Sequence, residues 1–234
     1  MKRTISLLLA LGLALSLCAA ASADAFAPRR SCVTELCSAE GMYTDSLGNV
    51  ENYCFHIPQL NVDTPAAEEI NREIEERFGE KVEAQFKNMA GGYSVWMWES
   101  VWHAYWQGSR LFLMFSARFE DGSIDYAAWG YDFDRDCRVD NAMILESLGI
   151  SEEEYLENLR EKVGFMFDSM NSSLSEKQRA MYGLDGMRDQ TLGWLDLEQP
   201  MYIDGSGQIV TIVKIASVAG AGWYYHLATP FACG

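Results

Sequence analysis

The chain has few of the residues and spacings that announce an enzyme. It holds no Gly-x-Ser-x-Gly nucleophile turn, no glycine loop for phosphate and no dinucleotide fingerprint. Its three histidines, His56, His103 and His226, are far apart, and none sits in a protease or metal motif. Basic residues are scarce: 18 Lys+Arg stand against 34 Asp+Glu, a net charge of −16. Such a surface repels phosphate backbones and anionic membranes, which argues against a nucleic-acid partner; it attracts cations and basic proteins. Simple solubility accounts for the same charge. Internal repeats and low-complexity stretches are absent. Past the first residues, no apolar run approaches the ~20 residues of a membrane helix.

What is present begins with an export pattern. Lys2 and Arg3 precede an apolar run from Ile5 to Leu17, followed by small residues in "AAASADA". The run is too short to span a bilayer, so residues 1–23 are expected to be a cleaved signal peptide and the protein to be secreted. Leu17 stands before Cys18 where a lipoprotein signal wants a small residue, which argues against a lipid anchor. Without Lys2 and Arg3, 16 basic residues face 34 acidic ones, a net charge of −18.

Cleavage leaves five cysteines: Cys32, Cys37, Cys54, Cys137 and Cys233. Outside the cell thiols tend to pair, so disulfides are expected, with one thiol left over. Cys32 and Cys37 enclose four residues and offer a small loop; the connectivity stays open.

Residues 24–41 lack periodicity and read as an N-terminal arm. From residue 42 to 234 a single α+β domain is expected, with helices packed on a mostly antiparallel sheet. A hairpin runs from "MYTDS" through Leu47-Gly48-Asn49 to "ENYCFHIPQL". Thr64 caps a helix over about 65–88, with Pro65 in its first turn and a stripe of Ile70, Ile74, Val82 and Phe86. Strands follow at roughly 93–106, 110–119 and 124–134. Ser151 and Glu154 form a capping box on a helix whose apolar face is Tyr155, Leu159, Val163, Met166 and Met170. One or two short helices lie within 175–197, and a hairpin turns at Gly205-Ser206-Gly207 before a last strand.

The aspartates of "YDFDRDCRVDNAMI" invite a calcium-loop reading, with Asp132, Asp134, Asp136 and Asp140 at ligand spacing. Cys137 and Met143 stand where that loop needs glycine and a bidentate glutamate, which favours a strand turning into a helix at about Asn141–Ser147. In "YSVWMWESVWHAYW", alternation puts Trp96, Trp98, Trp102 and Trp106 on one face, either a platform for a sugar or protein or one side of a covered strand. Cys54 and His56 share a strand face, with no third group in view for a nucleophile. No catalytic, cofactor or metal residue is assigned.

"YCFHIPQLNVDTPAAEEINREIEERF" resembles the opening of a family of exported domains of unknown function. The shared positions are Ile57, Pro58, Leu60, Ile70, Asn71 and Ile74. "YDFDRDCRVDNAMIL", "EEYLENLREKV" and "MYIDGSGQIVTIV" are similar to later family segments, so the resemblance covers about 42–230. The family's domain occurs in RsiV-type anti-sigma factors, which bind lysozyme, and ahead of the catalytic domain of PdaC-type peptidoglycan deacetylases. The resemblance implies a non-enzymatic binding module at or beyond the envelope, engaging lysozyme or a cell-wall component such as a peptidoglycan fragment. Glu68, Glu69, Glu73, Glu75 and Glu76 on the first helix, with Trp96, Trp98 and Trp102, are the candidate contacts. The alternatives are a carboxylate enzyme acting on wall polysaccharide, with an acid pair beside tryptophan rings, and a structural envelope protein.

Overall fold

The computed structural model describes residues 32–93, 96–218 and 222–232. The expected signal segment, residues 24–31 of the expected arm and Cys233 lie outside these residues. No helix among them is long and apolar enough to cross a membrane.

The fold is α+β, as expected, but its strands divide into two sheets. Strands β1 (Val33–Thr44), β2 (Val50–Leu60), β3 (Met97–Gln107), β4 (Arg110–Phe119), β5 (Ile124–Asp132) and β6 (Cys137–Arg138) pair in sequence order, antiparallel except for a short parallel contact of β2 with β3. Strands β7 (Met201–Ile203), β8 (Ile209–Ala216) and β9 (Trp223–Ala228) form a second, antiparallel sheet. Residues 33–41, read as part of a loose arm, are instead most of β1, which pairs along β2 from Val33↔Leu60 to Thr44↔Val50. The strand is hidden because β1 is an edge whose half-buried positions hold small residues, Cys37, Ala39 and Gly41, while Leu36 and Met42 are exposed, so hydrophobicity does not follow the alternation.

The first helix carries an irregularity that its spacing predicts. Apolar residues four apart drift about 40° per step around a regular α-helix, since each residue turns 100°. Ile70, Ile74, Phe78 and Val82 are nonetheless all buried against the large sheet. The drift is absorbed by a π turn, Glu75–Gly79, between α1 (Pro65–Ile74) and α2 (Glu80–Ala90). Thr64 caps α1, its hydroxyl accepting from the Ala67 N–H at 3.3 Å.

Side-chain alternation then sets the layers. On β4, Leu111, Leu113, Phe115 and Ala117 face the α1–α2 rod, while Phe112 and Met114 face the second sheet. Helix α4 (Glu152–Met170) closes the far side through Tyr155, Leu159, Val163 and Phe167. Phe167 takes the place expected of Met170, which is exposed. Short helices α3 (Asn141–Leu148), α5 (Glu176–Tyr182) and α6 (Leu184–Gly193) complete that layer. The Ser151 hydroxyl caps α4 by accepting from the Glu154 N–H, whereas the reciprocal capping box is at Ser175–Gln178.

No disulfide forms among the described residues. The Cys32–Cys37 loop that the spacing offers fails on geometry: five residues of nearly extended chain separate them by about 16 Å, far beyond the roughly 7 Å that a disulfide can bridge.

Candidate functional site

Strand β5 is paired with β4 along its whole length, but β6 covers it only at Tyr131 and Asp132. Among the described residues no strand pairs with 124–129 on that side, leaving an open edge where the two sheets meet. Two adjoining cavities of about 510 and 470 Å³ follow this edge. Both are lined by Arg77, Glu198 and Pro200. Each falls within the roughly 300–1,000 Å³ usual for small-ligand sites.

The groove's polar groups are fixed by the elements behind it. Arg77, in the π turn, reaches over the open edge to donate to Asp125 Oδ1 at 2.7 Å and to the Tyr126 carbonyl at 2.9 Å. Glu73, one turn earlier, accepts from Trp129 Nε1 at 3.0 Å and pairs with Arg138. Burial opposes ionisation of Glu73, but Arg138 and the indole N–H outweigh it and hold its carboxyl below the usual range. It therefore stays a carboxylate and is unsuited to act as a general acid. The second cavity brings together Trp194, Trp223, Tyr225 and Tyr126 with Lys214 and Asp196. The Lys214 ammonium lies 4.4 Å from the centre of the Trp223 ring.

The tryptophans of β3 do not form one platform. A bulge between Met97 and Glu99 interrupts the alternation, so Met97 is buried and Trp98 turns outward alone. Trp96 stacks on Phe119 with ring centres 5.6 Å apart, and Trp102 and Trp106 pack at the margin of the helix-side core. Of the expected acidic contacts, Glu68, Glu69, Glu75 and Glu76 are exposed, whereas Glu73 is committed to the groove. Trp129, Trp194 and Trp223, which do line the groove, come from segments that alternation alone could not bring together.

Three of the four aspartates have separate structural duties, and the side chain of Asp134 is exposed. Asp132 accepts from Arg110 Nε at 3.1 Å, from the Ser109 hydroxyl and from the backbone N–H groups of Asp134 and Arg135. Asp136, at a φ of 47°, turns the chain and accepts from the Tyr131 hydroxyl. Asp140 caps α3 through the Met143 N–H at 2.8 Å. The stretch is a strand turning into a helix.

Across the molecule, His56 gains the third group that its sequence did not show. Its Nδ1 lies 3.0 Å from Glu35 and its Nε2 2.8 Å from Glu40. The hydrogen bond to Glu40 and the charge of Glu35 raise its pKa despite partial burial. Neighbouring Cys54 is pushed the same way, by burial and by Glu40, Glu99 and Glu35. Both ring nitrogens of His56 thus face carboxylates, so the arrangement gives the Cys54 thiol no hydrogen-bonded base. His103 is exposed, and His226 is half-buried with its Nε2 unpaired and its pKa lowered by burial.

No family model matches the chain, and no curated protein matches it. Among solved structures it is similar to a DUF3298 family protein from Pseudomonas aeruginosa PAO1, with 12% identity and a TM-score of 0.42, over 84% of this chain and 88% of that one.

Proposed function

We propose that this protein is a secreted, non-enzymatic binding module that holds a cell-wall fragment in the groove along the open edge of β5. The carrying observation is the meeting of Trp194, Trp223 and Tyr225 with Arg77, Lys214, Asp196 and Glu198 in two adjoining cavities. Aromatic rings supply flat apolar faces for sugar rings, and the charged groups offer donors and acceptors to hydroxyls, amides and peptide termini. Glu73, hydrogen-bonded to Trp129 and tied to Arg138 with its carboxyl held below the usual range, suits a fixed binding contact and not proton donation. A glycosidase needs a second carboxyl kept protonated.

A basic protein of the lysozyme kind is the second reading. It rests on the exposed Glu68, Glu69, Glu75 and Glu76 along the outer face of α1 and the π turn. Calorimetric titration with soluble peptidoglycan fragments and with lysozyme, at low and physiological salt, separates the two. Groove binding predicts fragment affinity that changes little with salt and is lost in Trp194→Ala. The charge reading predicts lysozyme affinity that survives physiological salt and falls when the four glutamates become glutamine. Absence of fragment binding to the folded wild type would sink the groove reading, and release of reducing ends from fragments would show an enzyme instead.

A further inference from the structure

The ladder between β1 and β2 places three different donor atoms at one point. Glu40 and Cys54 are directly paired, and His56, opposite Ser38, follows on the same face. A carboxylate oxygen of Glu40, Sγ of Cys54 and a ring nitrogen of His56 all lie within 4.8 Å of one another. Ligand atoms bonded to a tetrahedral zinc at about 2.0–2.3 Å stand roughly 3.3–3.8 Å apart. His56 Nε2 and Glu40 Oε1, now 2.8 Å apart, must open slightly to admit the ion, while the atoms standing as far as 4.8 Å apart must draw in by about 1 Å.

The orientation of His56 is set from behind. Glu35 Oε1 lies 3.0 Å from Nδ1 and accepts from Trp102 Nε1 at 3.1 Å. Glu35 reaches this position because of a bulge between Glu35 and Cys37. Without the extra residue, an odd-numbered side chain would point away from Ser38 and Glu40. Bulges are a recurrent means of re-aiming a side chain beside a site. A carboxylate on the far nitrogen of a histidine is also the usual outer partner of a metal-ligating imidazole, fixing its orientation and raising its basicity.

We propose that Glu40, Cys54 and His56 bind a zinc-class divalent cation, with Glu35 as a positioning residue and a fourth coordination place left to water or a ligand. The ion takes the place of the proton between His56 Nε2 and Glu40, and the Cys54 thiol gives up its own proton to become the thiolate ligand. Sulfur, imidazole nitrogen and carboxylate oxygen together are the donor set of zinc; calcium and magnesium take oxygen alone. The site lies on the β1–β2 wing, away from the β5 edge, and stands whether or not the groove binds wall fragments.

Cobalt(II) titration of the reduced full-length chain, followed by zinc competition, tests this. One equivalent of cobalt is expected to give tetrahedral visible bands and a near-ultraviolet thiolate-to-cobalt band, both bleached by zinc. Cys54→Ser removes the thiolate band, and Glu40→Gln and His56→Gln each weaken binding about tenfold or more. Glu35→Ala weakens it by about 10- to 100-fold with the thiolate band intact. Glu35→Gln, which still accepts from Nδ1, restores most of that loss. Cys137→Ser changes nothing. Glu40 is an exposed side chain, so its variant keeps the fold, checked by circular dichroism. A folded wild type without a thiolate band, or a band that survives Cys54→Ser, overturns the proposal.

Discussion

The hydroxyls of Tyr155 and Thr211 meet at 2.9 Å in the core between α4 and β8, where both residues are fully buried. Burial pushes the Tyr155 phenol up to about 12, so it stays neutral and able to donate throughout the physiological range. Each group is the other's way of avoiding an unpaired buried polar atom. Tyr155→Phe is expected to cost about 1–3 kcal/mol by stranding the Thr211 hydroxyl. Thr211→Val in the same chain should recover part of the loss. Urea unfolding of the two single variants and the double variant checks this, and additive losses would show that the hydroxyls are not coupled.

The elements that could be read from the sequence are those whose burial pattern is local. The Thr64-Pro65 start, the turn at Gly205–Gly207 and the short helix beginning at Asn141 each need only neighbouring residues, and each is where the sequence places it. The strand over residues 33–41 was hidden because its half-buried positions hold small residues, Cys37, Ala39 and Gly41, while Leu36 stands on the exposed face. The bulge at Trp98 was hidden too, because one extra residue reverses a face without changing composition. The groove brings together residues more than a hundred positions apart, such as Arg77 and Trp223 on one cavity wall, which no local period encodes. Cys54 and His56 were visible as a pair; Glu35 and Glu40 came from a segment read as a loose arm.

Asp132 should govern much of the acid limb of stability. Burial by itself would raise its pKa, but Arg110, two backbone N–H groups and the Ser109 hydroxyl outweigh this and hold it below the ordinary carboxylate value. A depressed folded-state pKa contributes stability above the unfolded value of about 3.9, and that contribution is lost as pH falls through the folded value. Asp132→Asn is therefore expected to cost about 3–5 kcal/mol at neutral pH, because it leaves the largely buried Arg110 without its counter-charge. Its stability should also fall less steeply than that of the wild type below pH 4. Denaturant unfolding at stepped pH measures both.

The π turn makes a prediction that ordinary core logic would miss. Phe78 sits between Phe115, with ring centres 4.1 Å apart, and Trp129, and it is fully buried. Phe78→Ala should cost about 3–5 kcal/mol. Deleting exposed Glu76 changes the stripe from spacings of four, four and four to four, three and four, which a regular α-helix accommodates. The deletion should cost less than Phe78→Ala, with helical content retained by circular dichroism. Its penalty should come mainly from moving Arg77 off Asp125. A deletion worse than the alanine variant would mean that the π turn is required by something other than spacing.

Gly130 is where the floor of the groove depends on a missing side chain. A Cβ there would lie 2.7 Å from Val139 Cβ, 3.2 Å from the Phe112 ring and 3.2 Å from the Val139 carbonyl. The Val139 N–H donates to the Gly130 carbonyl at 2.9 Å, and the nearest crowding atom, Val139 Cβ, is bonded to that same backbone and cannot rotate away. Gly130→Ala must therefore push the 137–140 segment outward, which costs about 1–3 kcal/mol as overpacking. That segment carries Arg138, the partner of Glu73, and Asp140, the cap of α3, so the displacement would also reshape the first cavity. The expected result is a folded protein of lower denaturation midpoint whose fragment affinity falls although residue 130 offers no polar side chain. Amide exchange would localise the change to α3 and the 137–140 turn, and an unchanged midpoint would show that the strand can shift to admit the methyl group.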